Sequence, residues 1–127
     1  MSWDDHYKRR AAIKAVLDYA RQHPSAVLPY DSVPEAKQVF QSRHELLLAL
    51  QYDWSQALWA RIELLSLESR GPALTDAREI AKKAWEQGAA ANPVLRRLLD
   101  AAKDELGTAV RREQDLMTSA VLSQSVA

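Results

Sequence analysis

Hydrophobic positions recur along this chain at three- and four-residue intervals, and no stretch alternates with the period of two that a half-buried strand requires. The most strongly patterned stretch is 42–68, SRHELLLALQYDWSQALWARIELLSLE. Ser42 and Glu45 open it as a capping box, and neither Gly nor Pro interrupts it before Gly71-Pro72. At 100° per residue Leu46, Leu50, Ala57, Ala60 and Leu64 form one apolar stripe, flanked by Leu47, Trp54, Leu58 and Leu65. Leu48, Tyr52, Trp59 and Ile62 form a second stripe roughly opposite. A helix that is apolar on two sides needs cover on both, so the pattern predicts that this helix is central.

The remaining elements follow in order. Ser2 and Asp5 mark the start of a first helix running to about Gln22, with Trp3, Tyr7, Ile13, Val16, Leu17 and Ala20 on a broad apolar face. Three prolines, Pro24, Pro29 and Pro34, make the next segment an extended connection, in which Val27, Leu28 and Tyr30 are apolar enough to pack on the bundle. A second S-x-x-E box, Ser32 and Glu35, predicts a short helix over about 33–41 that covers part of the central one. Thr75 or Asp76 caps a fourth helix whose Ala77, Ile80, Ala81, Ala84, Trp85 and Gly88 keep helical spacing. Asn92-Pro93 restarts the chain into a final helix predicted to reach about Ser123, with the seam Leu95, Leu99, Ala102, Leu106, Ala109, Glu113, Leu116 and Ala120. The expected fold is all-α, a mainly antiparallel helical bundle of four substantial helices plus one short one, in a single domain over 1–127.

Composition narrows the function. Of 127 residues, 47% are hydrophobic and 27% charged, the balance of a globular chain. Seventeen basic side chains meet seventeen acidic ones, and no third of the chain departs far from that balance. The broad positive field that nucleic acid or an anionic membrane requires is therefore lacking, and neither partner is expected. The absence of cysteine excludes disulfides and thiolate chemistry. The start, MSWDDHYKRR, does not read as a signal peptide, and the longest apolar run, 46–50, is far short of a membrane span, so the expected location is cytoplasmic. Ala-, Leu- and Arg-rich usage suggests a GC-rich bacterial source.

No motif identifies a reaction. His6, His23 and His44 have neither H-x-x-x-H nor E-x-x-H spacing, so no metal and no other cofactor is expected. A faint helix-turn-helix spacing through Ala84, Gly88 and Val94, followed by Arg96 and Arg97, is outweighed by an ordinary helix stop and restart. More informative are charges on apolar stripes. Asp53 falls between Leu50 and Ala57, Arg61 lies within the same arc, and Glu113 interrupts the last seam. Buried singly, each would cost several kcal/mol, so pairing or water is expected, with Glu113 the first choice for Arg61.

The expected function is non-enzymatic, that of a small helical interaction, adaptor or regulatory protein forming a homodimer or binding another protein. Its interface is expected at Trp59, Ile62, Tyr52 and Leu48, with Met117 and Val121 nearby. The alternative is a small-molecule site, walled by Tyr52, Trp54, Trp59 and Trp85 above Asp53 and Arg61.

Overall fold

The stop of the first helix before Pro24, the start of the central helix at Ser42 and the restart at Asn92-Pro93 are where local chemistry places them. The expected signals at Ser2, Gly71-Pro72 and Thr75 or Asp76 lie outside the described residues. The structure is a computed structural model that describes residues 3–25, 27–68, 77–108, 111, 112 and 115. Helix α1 spans Trp3–Gln22, α2 Pro34–Val39, α3 Arg43–Glu68, α4 Ala77–Ala91 and α5 Pro93–Ala101. The fold is all-α, with four substantial helices packed on one another and no strand among the described residues. Ser42 caps α3: its Oγ accepts the Glu45 N–H at 3.1 Å, while the Glu45 carboxylate reaches back to the Gln41 N–H at 2.7 Å. The expected box at Ser32 and Glu35 does not close. Val33 is the N-cap of α2, and no side chain caps that end. Pro34 explains the shift, since its ring occupies the first helical position, where no N–H is needed.

Helix α3 belongs to two cores. Leu46, Leu47, Ala49, Leu50 and Trp54 join Ala12, Ile13, Val16 and Ala20 of α1, Leu28, Val33, Ala36 and Phe40, and Leu95, Leu98 and Leu99 of α5. Further along, Leu58, Ile62 and Leu65 pack with Ile80 and Ala84 of α4. Both α4 and α5 run against α3: Ile80 clusters with Ile62 and Leu65, Gly88 meets Trp54, Arg96 covers Trp54, and Glu105 pairs with Arg43 at the start of α3. They lie one after the other along α3, joined at Asn92, rather than forming a hairpin of their own. Asn92 is the N-cap of α5 with Pro93 in its first turn, although its side chain makes no capping bond.

Three expectations change. Helix α2 packs on α1 rather than serving chiefly as a cover for α3. The final helix is not continuous: Ala102 turns at φ −102°, ψ 15°, and helix resumes over 103–108. Both Ala102 and Leu106 lie in the core, as the seam had them. The rest of the expected seam, from Ala109 through Glu113, Leu116 and Ala120, lies outside the residues whose side chains are described. Lastly, Trp3 and Tyr7 stand clear of the core at 77% and 66% exposure, because α1 becomes buried only from Ala12 onward.

Candidate functional site

The first candidate is a concavity of about 570 Å³ between the opening turns of α1 and the middle of α3. Trp3, His6, Arg9, Arg10 and Ile13 line it from α1, spaced three and four apart so that they share one side of the helix. Tyr52 and Asp53 line it from α3. Trp3 meets His6 edge-on with ring centroids 6.2 Å apart, and the Arg9 guanidinium lies 5.5 Å from the Phe40 ring centroid. Tyr52 is 61% exposed. Burial raises the Asp53 carboxyl above its ordinary pKa, while Arg10 and then Arg9 pull it down. The expectation that Asp53 sits on a buried seam is corrected: as a residue it is exposed, since the seam turns outward below Leu50.

The second candidate, the expected aromatic pocket above Asp53 and Arg61, does not form, because its walls go to separate places. Trp54 is buried and meets Trp85 of α4 edge-to-face, with centroids 4.9 Å apart. Arg96 fills the space over both rings, its guanidinium carbon 4.5 Å from the Trp54 centroid and 4.6 Å from that of Trp85. Asp100 holds that guanidinium from one turn on, at 2.9 Å. Tyr52 faces the α1 concavity, and Trp59 packs half-buried on the Leu58–Ile62 cluster. The half-buried Arg61 runs its stem past Gly88 of α4, and no acid among the described residues pairs with it. Glu113, its expected partner, lies outside the described residues.

Arg96 and Arg97 were legible only as a basic pair after a helix restart, and the structure gives both internal work. Arg97 donates to the Ala20 carbonyl oxygen at 2.9 Å, satisfying an acceptor in the last turn of α1. Both guanidiniums are thus engaged within the bundle. His23 is similarly local: its ring stacks on Tyr19 at 4.1 Å, and its Nδ1 lies 3.1 Å from the Tyr19 carbonyl oxygen.

The third candidate is the outer side of α3. Of the expected interface residues, Ile62 is buried against α4 and is corrected to core. Leu48 and Tyr52 are exposed, and Met117 and Val121 lie outside the described residues. The side left open is the other stripe: Ala57, Ala60, Leu64 and Leu67 are all exposed, both leucines at 56%. The stripe expected from periodicity, Leu46, Leu50, Ala57, Ala60 and Leu64, is thus core only at Leu46 and Leu50, and Leu67 extends its exposed part. No described helix is long and apolar enough to cross a membrane. Compared with family models, curated proteins and solved structures, the chain finds no match.

Proposed function

We propose that this chain is a non-enzymatic interaction protein that pairs with a second copy of itself through the outer stripe of α3. The observation supporting this reading is the exposure of Ala57, Ala60, Leu64 and Leu67, spaced three, four and three on a helix whose inner side already has its core. Such spacing places them in one straight seam, the form that helix pairing uses. The stripe is also self-complementary. In antiparallel pairing about a two-fold axis level with Ile62, Leu67 stands opposite Ala57 of the second copy and Leu64 opposite Ala60. Each large side chain then meets a small one.

The seam from Ala57 to Leu67 is about 15 Å long at about 1.5 Å of rise per residue, which is short for a standard interface. The pair is therefore weak, with a dissociation constant on the order of micromolar or above. Sedimentation over concentrations from about 1 μM to 1 mM is the test. The wild type should move from monomer to dimer, and Leu64→Glu should remain a folded monomer throughout. A wild type monomeric at the highest concentration, or a variant that dimerises unchanged, overturns the reading.

A further inference from the structure

We infer that the concavity between the first three turns of α1 and Tyr52–Asp53 of α3 is a binding site for a planar aromatic ring carrying one carboxylate or phosphate group. The site lies on the first half of α3, apart from the stripe used for pairing, and does not depend on it. Its volume, about 570 Å³, falls within the range of small-molecule sites. Its lining combines the two chemistries such a ligand needs. Trp3 and Tyr52 supply aromatic surface at 77% and 61% exposure, one from each helix. Exposed rings from two elements beside one concavity provide surface for stacking a flat ligand.

Charge selects the rest of the ligand. Arg9, Arg10 and His6 line the site, and the single acid among the lining side chains is Asp53. With both arginines charged, the site carries a net positive charge that one anionic group would neutralise. The Arg9 guanidinium is held beside the Phe40 ring, so part of its ordering is complete before a ligand arrives. A guanidinium also offers paired donors that match the geometry of a carboxylate or phosphate. Asp53, opposite in sign, would accept from an amino group or ring N–H on the same ligand. Burial raises its pKa against the pull of Arg10 and Arg9, and a donor on the ligand would favour its charged form. An uncharged aromatic would leave the arginines unused, and an anion without a ring would leave Trp3 and Tyr52 unused.

Calorimetric titration of the full chain at low salt tests this with four probes: adenosine monophosphate, 2-aminobenzoate, adenosine and inorganic phosphate. At least one of the two aromatic anions should bind saturably, with adenosine and inorganic phosphate at least about tenfold weaker. Arg10→Ala and Tyr52→Ala alter exposed side chains, and each should weaken binding at least about tenfold while circular dichroism stays that of the wild type. Leu64→Glu should leave binding intact, which separates this site from the pairing stripe. The inference is overturned if neither aromatic anion binds more tightly than about 1 mM. It is equally overturned if phosphate alone binds as well as the aromatic anions, or if the two variants bind like the wild type.

Discussion

Gly88 of α4 faces Trp54 of α3 so closely that a Cβ at this glycine would stand 3.2 Å from the indole Cη2 and 3.4 Å from Cζ3. The indole has little room to yield, because it is 1% exposed, meets Trp85 and is covered by Arg96. Gly88→Ala gains roughly 1 kcal/mol of helix propensity and loses a comparable amount to crowding, so its net change should be small. Gly88→Val adds branched bulk at the same contact and should cost about 2–3 kcal/mol in urea melts. A valine variant as stable as the wild type would mean that α4 can shift away from Trp54 without loss.

Arg96 should prove irreplaceable by lysine. Its planar guanidinium covers two indoles at once, whereas an ammonium is a compact charge that cannot. Arg96→Ala is expected to cost about 1–3 kcal/mol, and Arg96→Lys most of the same amount. Asp100→Asn, at the more exposed end of the ion pair, should cost under about 1 kcal/mol. A double-mutant cycle between Arg96 and Trp85 should reveal coupling, and strict additivity would show that the stacking contributes nothing.

Two carboxyls give stability opposite pH slopes. Asp53 has its pKa raised by burial, so its folded form holds the proton more tightly than the unfolded chain does. The stability this confers is complete below the unfolded pKa and lost as pH rises through the folded one. Asp53→Asn should therefore match the wild type in acid and exceed it at neutral pH. Glu105 has its pKa lowered, first by its hydrogen bond from Arg43. Its contribution is present above the unfolded pKa and disappears as pH falls through the folded one. Glu105→Gln should lose a little stability at neutral pH and none in acid. Melting series from roughly pH 2 to 7 would check both signs.

On α3, neighbouring side chains should behave in opposite ways. Ile62→Glu puts a charge into the core with Leu58 and Ile80 and should abolish cooperative melting, whereas Leu64→Glu should barely alter the melt. In the antiparallel pair Glu63 would approach its own copy beside the axis. Added salt should therefore tighten association rather than weaken it. Sedimentation at low and high salt decides, and tighter pairing at low salt would exclude this orientation.

Much of the fold could be read directly from sequence. The stop of α1 before Pro24, the Ser42 cap, the restart at Asn92-Pro93 and the buried face of α4 at Ile80, Ala84 and Gly88 all follow from local rules. The two sides of α3 could not be ranked in the same way. Beyond Ala57 both carry Leu, Ile or Ala at helical spacing, and the buried side is decided by where α4 returns, a tertiary choice that hydropathy does not record. The break at Ala102 carries no Gly or Pro signal. In the α1 site, Tyr52 and Asp53 were legible as anomalies, but their pairing with Trp3, His6 and Arg10 depends on a long-range approach of helices.

Because α3 runs through both cores, the molecule need not open all at once. The cluster of Leu58, Ile62, Leu65, Ile80 and Ala84 is the smaller, and among the described residues it draws on α3 and α4 alone. As temperature rises it should yield first, while the larger core holds α1, α5 and the start of α3 together. The partly opened chain would then display Ile62 and Leu65 beside Leu64 and Leu67, converting a narrow stripe into an apolar helix exposed on most of its circumference. Such a surface no longer closes with one partner. Heat-induced aggregation of this protein should accordingly start from the second half of α3, before global unfolding.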